Sequence, residues 1–316
     1  MANKVPTVSV IIPTYNRAHL IGRAIQSVLS QTFQDFEIIV VDDGSEDNTK
    51  EVVRGFADGH VRYFRHNENR GGSAARNTGI RASRGEYIAF LDSDDEWNPR
   101  KLERQLRVLR AASSTVVLVF AGLRNVNSQG RELFRCCPSP GVVVDRSQLF
   151  TACFVSNSAI LTRKTALVEV GGFDDRLSCW QDRDLWLRLF GRYQLVGIPD
   201  DLVVVHQYGD RISSNPRARS EGYALVLEKY GNEISKEPYL EAKIRTALAT
   251  ALIRVPEGRG VAVREFAKAV RLRPSLKGML QLTAAIGGCR FYRTVDWAYS
   301  KCVRMGGGEG KWVRND

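Results

Sequence analysis

The sequence predicts an α/β fold, in which a mostly parallel twisted sheet is flanked by helices and followed by a small all-α C-terminal region. Short apolar runs rich in β-branched residues alternate with segments of helical periodicity up to about residue 208. Several of these runs are apolar throughout, as in strands buried on both faces of a parallel sheet. Past about residue 220 the strand pattern vanishes and only helical periodicity continues.

Seven apolar runs predict the strands of this sheet, because each is short and bounded by turn-forming or charged residues. They are Thr7–Pro13, Phe36–Val41, Val61–Arg65, Tyr87–Leu91, Val116–Phe120, one strand inside Ser156–Phe173, and Leu202–Tyr208. The segment from Gly122 to Phe154 has only a weak pattern, with Gly, Pro and Ser breaks.

Apolar residues at helical spacing predict the intervening helices. The first has an apolar stripe from Leu20 to Leu29, with Asn16 as its expected N-cap. The others before residue 220 are Asn48–Arg54, Gly71–Ser83, Pro99–Ala111, a short helix before the Gly171–Gly172 pair, and Asp182–Phe190. Three amphipathic helices follow, Lys243–Val255, Gly260–Leu272 and Pro274–Ile286. We therefore expect one domain over residues 1–220 and a helical, basic region over residues 221–316.

The charge of the chain is unevenly distributed. Its 316 residues are 43% hydrophobic and 26% charged, with a net charge of +11. Residues 221–316 hold 17 basic and 10 acidic side chains, which is most of the excess. Such a segment favours an anionic partner, such as a membrane surface, nucleic acid or acidic glycan. The alternative is a solvated basic face that has no partner.

The six cysteines include no C-x-x-C pair and have no histidines at zinc spacing. Structural disulfides are not required, which suits a reducing compartment. There is no apolar segment after a basic start at the N-terminus, and no apolar run of bilayer-spanning length. We expect a soluble cytoplasmic protein, and the membrane-spanning and disulfide-scaffold classes are excluded.

The stretch GEYIAFLDSDDEW, Gly85 to Trp97, contains a buried strand that runs directly into clustered acids. Asp92 and Asp94 stand two residues apart, so they share one face if the chain stays extended. A divalent cation would relieve their mutual repulsion, and carboxylate oxygens suit Mg²⁺ or Mn²⁺. The alternative is a charged loop that caps the helix beginning at Pro99.

Two further predicted strands also end in polar residues. The first is followed by PTYN, which begins at Pro13, and the second by DDGS, which begins at Asp42. Ligands bind outside the carboxyl ends of strands in open α/β sheets. Together with the cluster at Asp92, these sets predict a polar pocket that holds a metal and accepts hydrogen bonds from a base or ribose.

Three weaker signals accompany this pattern. The glycines of NRGGSAARNTG allow backbone amides to approach an anion at a helix start, with Arg70 or Arg76 supplying charge. A tight turn explains those glycines equally well. Asp182 opens a helix, where it has either a functional role or the structural role of an acid in the first turn. We assign the structural role to Asp184. His206 ends a strand and is a candidate for contacting phosphate or metal, with a structural role as the alternative.

Residues 7 to about 208 resemble a family 2 glycosyltransferase with the GT-A fold. The resemblance rests on VSVIIPTYNR, QTFQDFEIIVVDDGSEDNT, NRGGSAARNTGI, GEYIAFLDSDDEW and GGFDDRLSCWQDRDLWLRL, in this order and spacing. It implies transfer of a sugar from a nucleotide-diphosphate donor to an acceptor hydroxyl with inversion, using Mn²⁺ or Mg²⁺. The base of the donor is often uracil, which suggests a UDP-sugar.

The resemblance also implies roles for individual residues. Asp182 would be the general base, Asp43 would accept from the base of the nucleotide, and Arg76 would approach the diphosphate. Asp94 would ligate the metal, and we add His206 as a candidate second ligand. The nucleotide-sugar site would contain Pro13, Thr14, Tyr15, Asp43, Arg76, Asp92 and Ser93. The family often has Glu-Asp where this chain has Gln181-Asp182, a change that removes a charge beside the acceptor.

We expect a hexosyltransferase in cell-surface polysaccharide or glycoconjugate synthesis, with a nucleotide-sugar donor, a glycan or lipid-linked acceptor and no nucleic-acid partner. The basic helices suggest peripheral contact with an anionic membrane at its inner face, and a packed helical subdomain or a dimer contact is the alternative.

Two other functions are weighed. A sugar-phosphate nucleotidyltransferase should have a glycine-rich basic loop after the first strand, where this chain has PTYNRAHL. A receiver-like signalling domain, suggested by VVDDGS, has no use for a third acidic cluster.

Overall fold

The computed structural model describes residues 5–56, 59–139, 146–151, 155–207 and 215–305. The chain forms two compact units. The first consists of Met1–Leu149, Cys153–Arg176 and Gln181–Gly209, and the second of Phe150–Ala152, Leu177–Trp180 and Asp210–Asp316. The end of one predicted strand, Tyr208, and the last residues of the predicted C-terminal region, 306–316, lie outside the described residues. The division into domains at residue 220 stays a prediction.

In the described residues, the first unit is built on one sheet of nine strands. They are β1 (Val8–Thr14), β2 (Phe36–Asp42), β3 (Val61–Arg65), β4 (Tyr87–Phe90), β5 (Glu96–Trp97), β6 (Val116–Val126), β7 (Glu132–Cys136), β8 (Ile160–Arg163) and β9 (Gln194–His206). The order across the sheet is β3-β2-β1-β4-β8-β6-β9-β5, and β7 pairs with β6.

The α/β class is confirmed, and the sheet is parallel in one half and mixed in the other. Strands β3, β2, β1 and β4 pair in parallel, as does β6 with β9. Strand β8 is antiparallel to both β4 and β6, and β5 and β7 are antiparallel to their partners. An apolar run marks a buried strand without giving its direction, so the sequence did not reveal these reversals.

Eight helical segments of the described chain accompany the sheet. They are α1 (Ala18–Leu29), α2 (Thr49–Gly55), α3 (Gly72–Ala82), α4 (Lys101–Ala111), α5 (Arg146–Thr151), a 3-10 turn (Asn157–Ala159), α6 (Lys164–Glu169) and α7 (Gln181–Phe190). The buried stripe of α1, with Ile21 and Ile25 fully enclosed, packs in the same core as Val10 and Ile38 of the central strands. The carboxyl ends of the central strands carry the candidate site.

The second unit is helical. Its described helices are α8 (Pro216–Ile234), α9 (Pro238–Leu252), α10 (Arg259–Leu272), α11 (Leu276–Ile286) and α12 (Cys289–Met305). A small core forms around Phe266 and Tyr292, whose rings stack with centroids 5.7 Å apart. Among the helices in the described part of the chain, none combines the length and apolar character needed to cross a bilayer.

Candidate active site

The carboxyl ends of three neighbouring strands, β1, β2 and β4, lie side by side. Thr14 at the end of β1 is in register with Asp42 at the end of β2, and Ile11 of β1 is in register with Phe90 of β4. The backbone N–H of Asp43 donates to the Thr14 carbonyl at 2.8 Å. The polar residues that follow these strands therefore emerge at one edge of the sheet.

Asp43 is 3% exposed, and its carboxylate holds the loop that leads into α3. Oδ1 lies 2.7 Å from His66 Nδ1 and accepts from the Arg70 N–H at 3.0 Å, and Oδ2 accepts from the Gly71 N–H at 2.7 Å. Gly71 has a φ of 88°, a conformation that glycine adopts readily. The sequence indicated Asp43 as an acceptor for a base and missed this anchoring role.

His66 connects Asp43 to α3. Its Nε2 lies 2.9 Å from Thr78 Oγ1, and Arg81 donates to the same hydroxyl oxygen. The two ring nitrogens of His66 therefore bridge the Asp43 carboxylate and the Thr78 hydroxyl. A cleft of about 370 Å³ beside this loop is lined by Arg65, His66, Asn67, Glu68 and Arg70. Sequence reasoning missed His66, because a lone histidine between a strand and a loop has no periodic pattern.

The loops after β1 and β2 are tied to each other. Asn16 has a φ of 52°, its side-chain oxygen accepts from the Glu46 N–H at 2.8 Å, and its own N–H donates to Ser45 Oγ at 2.9 Å. The prediction that Asn16 is the N-cap of α1 is therefore wrong. The first-turn N–H of Ala18 donates instead to Asp47 Oδ2 at 3.0 Å, so the loop after β2 caps the helix after β1.

The end of β1 presents a buried hydroxyl and a partly exposed ring. Thr14 is 4% exposed, and its Oγ1 has no hydrogen-bond partner among the described residues. Pro13 before it is buried, and Tyr15 after it is 42% exposed. A buried hydroxyl without a partner costs free energy, so a ligand that hydrogen-bonds here would be favoured.

Arg76 of α3 reaches across to the acids after β4. Its Nη2 donates to Asp92 Oδ1 at 2.6 Å, and the guanidinium lies 5.6 Å from the ring centroid of Phe173. The Arg76 side chain is 7% exposed and that of Asp92 is 35% exposed. Ser93, the next residue, is buried. Arg76, which we expect beside the diphosphate, is thus hydrogen-bonded to another residue of the predicted nucleotide-sugar site.

The acids after Asp92 have different environments. Asp95 is buried and its Oδ2 accepts from the Ser158 hydroxyl at 2.6 Å, which gives it a structural role. Asp94 is half-buried, and its carbonyl accepts from Arg23 Nη2 at 3.0 Å. Arg23 Nε also lies 3.0 Å from Glu96 Oε1. Helix α1 therefore fixes this acidic turn through Arg23, a residue that the sequence pattern did not single out.

His206, at the end of β9, lies with Nε2 2.5 Å from Glu96 Oε1. Histidines that bind metals commonly donate their other ring N–H to a carboxylate in this way. The described residues contain no group of three or more side chains placed to hold a metal by themselves. Mg²⁺ and related ions are often held by one or two carboxylates together with substrate phosphates. The donors here fit a metal whose coordination a diphosphate completes.

Asp182 lies in the first turn of α7 and is half-buried. Its Oδ1 accepts from the Arg183 N–H at 2.8 Å. Burial raises the pKa of the Asp182 carboxyl. The charges of Arg183 and Arg76 lower this pKa, and the charge of Asp92 raises it further. These interactions place Asp182 within the electrostatic reach of the Arg76–Asp92 pair, so α7 brings a candidate base to the sheet edge.

The first turn of α7 also contacts the first turn of α3. Ser73 donates from its hydroxyl to Gln181 Oε1 at 2.9 Å. A glutamate at this position could accept the same bond, so the change to glutamine keeps the contact and removes a charge. Asp184, two residues after Asp182, is fully buried and pairs with Arg188 at 2.8 Å, which is a structural role.

Comparison with known proteins gives a consistent result. Residues 9–171 match the model for glycosyl transferase family 2. The uncharacterized glycosyltransferase RP339 of Rickettsia prowazekii is 33% identical over 244 residues, which cover 75% of this chain and 76% of that protein. WfgD of Escherichia coli, a UDP-Glc:alpha-D-GlcNAc-diphosphoundecaprenol beta-1,3-glucosyltransferase, is 43% identical over 102 residues, 32% of this chain and 40% of WfgD. An uncharacterized glycosyltransferase of Rickettsia bellii is 34% identical over 191 residues. This match covers 58% of this chain and only 27% of that protein.

Solved structures share the fold. TarS 1-349 of S. aureus in complex with UDP-GlcNAc aligns with a TM-score of 0.64 and 20% identity, over 98% of this chain and 94% of TarS 1-349. The mannosyltransferase PcManGT from Pyrobaculum calidifontis, in complex with GDP-Man and Mn²⁺, aligns with a TM-score of 0.58 and 22% identity, over 90% of this chain and 81% of PcManGT. The predicted GT-A fold is confirmed.

The family match settles the choice among the three functions that the sequence suggested. Its matched residues include the ends of β1, β2 and β4, where the candidate site lies. The nucleotidyltransferase and receiver-domain alternatives are therefore wrong. The chain belongs to glycosyl transferase family 2.

Proposed function

We propose that this protein is an inverting glycosyltransferase that moves a sugar from a UDP-sugar donor to an acceptor hydroxyl during synthesis of a cell-surface polysaccharide or glycoconjugate. The observation that carries the proposal is the contact between the first turn of α7, which holds Asp182, and the first turn of α3, the helix whose Arg76 pairs with Asp92 at the shared edge of β1, β2 and β4. A carboxylate with a raised pKa beside a buried cation suits proton removal next to an anionic leaving group.

The nucleoside would lie over the end of β1 and the loop that Asp43 anchors. Thr14 supplies a buried hydroxyl, and Tyr15 supplies a partly exposed ring for the base. Asp43 Oδ2 accepts from the Gly71 N–H, and a carboxylate oxygen can accept more than one hydrogen bond. Its remaining capacity suits the N–H on the pairing edge of uracil, which supports UDP as the nucleotide.

The ribose and diphosphate would lie between β4 and the start of α3. Asp92 and Ser93 are the proposed ribose contacts. Arg76 has five N–H donors, one of which donates to Asp92, so the planar guanidinium can also face phosphate oxygens. The backbone amides at the start of α3 follow Gly71, where no side chain obstructs an anion.

Asp94 and His206 are the proposed protein ligands of Mn²⁺ or Mg²⁺. His206 Nε2 lies 2.5 Å from Glu96 Oε1, and a carboxylate beside the other ring nitrogen is a common partner of metal-binding histidines. When bound, such an ion supplies positive charge to the departing diphosphate. The presence of Mn²⁺ in the PcManGT complex supports this choice of ion.

Asp182 would take the proton of the acceptor hydroxyl. As the acceptor oxygen forms its bond to the anomeric carbon, the bond from that carbon to the diphosphate oxygen breaks. The proton passes to the Asp182 carboxylate, and the nucleoside diphosphate leaves with the bonding electrons. Attack opposite the leaving group inverts the anomeric centre. Burial raises the pKa of Asp182, and the charge of Arg76 lowers it, so Arg76 favours the ionised form of the base.

A glycan or lipid-linked molecule is the proposed acceptor. WfgD, which matches part of this chain, is named for a diphosphoundecaprenol-linked acceptor, and this supports the lipid-linked class. Such an acceptor would bring the protein to a membrane surface. We therefore keep peripheral contact with an anionic membrane, at its cytoplasmic face, within the proposal, and assign no nucleic-acid partner.

The proposal is tested with a panel of nucleotide sugars and the full chain. Thermal stabilisation is measured for UDP-, GDP- and dTDP-sugars with Mn²⁺, and the stabilising donors are then offered to glycan and lipid-linked acceptors. We expect UDP-sugars to stabilise most, and the anomeric proton coupling of the product to report inversion. Stabilisation by nucleoside triphosphates with release of pyrophosphate, or a product with retained configuration, would contradict the proposal.

A further inference from the structure

The helix α11 directs four of its five larger apolar side chains outward, and the fifth, Leu282, packs against the core of the second unit. Leu276 is 71% exposed, Met279 48%, Leu280 40% and Ile286 56%. With 3.6 residues per turn, these four positions fall on one face of the helix. The opposite face, which enters the core of the second unit, carries Ala284 and Ala285, both of them fully or almost fully buried. The usual arrangement of a surface helix is the reverse, with polar side chains outward.

Phe291 of α12 extends this surface. Its ring is 50% exposed, and a Cβ added to Gly287 would lie 2.5 Å from Phe291 Cδ1, so the ring packs against the end of α11. The resulting surface, named here the α11 face, consists of Leu276, Met279, Leu280, Ile286 and Phe291. Contiguous exposed apolar side chains of this kind mark interaction sites in proteins.

The surroundings of the α11 face are strongly cationic. From Arg259 to Met305 the chain has ten basic and two acidic residues, a net charge of +8. The two acids are already engaged by cations. Glu265 lies 2.6 Å from Arg245 and 2.8 Å from Lys268, and Asp296 lies 3.9 Å from Arg254.

Exposed cations stand at both ends of the α11 face. Lys277 lies in its first turn, and Arg290 and Arg293 lie on α12 beside Phe291. Arg259 donates to the Ile286 carbonyl at the end of α11. An apolar stripe with cations along its rim matches the interface of an anionic bilayer, where acyl chains meet anionic headgroups.

We infer that the α11 face docks onto an anionic lipid bilayer, with α11 lying in the plane of the interface. This deepens the proposed function, on which it rests for the lipid-linked acceptor. Eleven residues span only about 16 Å, so α11 lies on a membrane and does not cross it. A second copy of the chain is a poorer occupant, because two faces of the same high positive charge would meet. Nucleic acid is also poorer, because its bases are held by stacking aromatics and this stripe is mostly aliphatic.

The test is sedimentation of the full chain with vesicles of phosphatidylglycerol and phosphatidylcholine in equal parts, at low and high salt. The wild type should bind at low salt, bind vesicles of phosphatidylcholine alone about tenfold more weakly, and be released by high salt. The double variant Leu276→Gln/Ile286→Gln should lose about tenfold in vesicle affinity. Val168→Gln, which changes an equally exposed apolar residue of α6, should bind as the wild type does.

Two further measurements separate this inference from its rivals. Circular dichroism and UDP binding should be unchanged in the double variant, so a loss of vesicle binding reports the face and not the fold or the nucleotide site. Vesicle binding by a wild type that does not bind UDP would leave the inference standing and count only against the proposed function. The inference would be overturned if the wild type did not bind vesicles, or if the double variant bound them equally well. It would also be overturned if the double variant abolished a dimer or an RNA complex and left vesicle binding unchanged.

Discussion

Arg76 Nη2 lies 2.6 Å from Asp92 Oδ1, and both of these charges act on the carboxyl of Asp182 in opposite directions. Arg76 lowers the pKa of Asp182 and Asp92 raises it, while burial raises it most. The pair therefore contributes, together with burial and Arg183, to how readily the proposed base is ionised. Arg76 is also the proposed diphosphate contact. Binding of the donor and ionisation of Asp182 therefore depend on the same side chain.

The first prediction concerns this pair and the pH dependence of kcat. Catalysis requires ionised Asp182, so kcat should fall as the pH drops through the pKa of Asp182 in the enzyme–substrate complex. Arg76→Met removes a charge that lowers this pKa, so the acid limb of the profile should move to higher pH. Asp92→Asn removes a charge that raises it, so the limb should move to lower pH. Shifts in the same direction would contradict the arrangement.

The second prediction concerns Asp182→Asn. Loss of the base should lower kcat by a factor of about 10²–10⁴, while the affinity for UDP stays close to that of the wild type. Sugar transfer is measured by product formation, and UDP affinity by calorimetric titration with Mn²⁺. Asp296→Asn, in the second unit, is the matched control and should be fully active. Wild-type turnover in Asp182→Asn would remove this residue from the mechanism.

The same variant has a stability signature with a defined sign. A carboxyl whose pKa is raised in the folded protein binds more protons there than in the unfolded chain, so it destabilises the fold as pH rises. Asp182→Asn should therefore have a higher free energy of unfolding than the wild type near neutral pH. The difference should vanish below the unfolded pKa of about 3.9. Denaturant titration at several pH values checks this, and a variant that is less stable at neutral pH would contradict it.

The third prediction concerns His66, which we treat as a positioning residue. His66→Ala removes one donor to Asp43 and the bridge to Thr78, so the loop before α3 loses an anchor. A hydrogen bond to a charged group contributes about 1.5–3 kcal/mol, so UDP affinity should fall about tenfold or more, with a smaller effect on kcat at saturating donor. His66→Gln, which can still donate to Asp43, should recover part of the affinity. A loss of kcat at unchanged KM would show that His66 does not act through the affinity for the donor.

The fourth prediction concerns the metal. Asp94→Ala should abolish the increase in UDP affinity that Mn²⁺ produces, because the ion would lose its proposed carboxylate ligand. Asp95→Asn is the matched control, since Asp95 accepts from Ser158 inside the fold. Calorimetric titrations of UDP with Mn²⁺ and with EDTA measure the difference. An Asp94→Ala variant that keeps the full Mn²⁺ effect would show that other groups hold the ion.

The strand ends of this site could be predicted from the sequence, because β1, β2 and β4 are apolar runs that stop at polar residues. The lengths of β6 and β9 could not. The strand predicted over Val116–Phe120 extends to Val126 in the structure. Arg124 and Asn125 interrupt the apolar run, although their backbones still pair with β9. Pairing satisfies the backbone irrespective of the side chain, so a polar residue inside a long strand conceals its extent.

The partners of the site residues were beyond sequence reasoning for a different reason. Asp43 is bonded to His66 and to Gly71, which lie 23 and 28 residues further along the chain. Glu96 meets His206 across 110 residues. Such contacts depend on how loops meet after the sheet has formed, and neither periodicity nor spacing carries that information. The strands predicted the location of the site, and the loops determine its chemistry.

The fifth prediction concerns Lys101, a buried cation that the sequence places at an ordinary helix start. Lys101 is 0% exposed, its Nζ donates to the Ile160 carbonyl at 3.1 Å, and it lies 3.9 Å from the ring centroid of Trp97. Burial holds the pKa of the Lys101 ammonium well below its ordinary value of 10.5. The folded protein therefore binds fewer protons at this residue than the unfolded chain does between those two pKa values.

The free energy of unfolding of the wild type should therefore increase with pH relative to that of Lys101→Met. The increase should be up to about 1.4 kcal/mol per pH unit as the pH approaches 10.5. Urea titrations of both proteins across the alkaline range measure this difference. Lys277→Met, at an exposed position of α11, should run parallel to the wild type over the same range. Parallel curves for Lys101→Met would mean that the ammonium stays protonated in the fold. The Ile160 carbonyl and the Trp97 ring would then stabilise its charge enough to offset the loss of solvation.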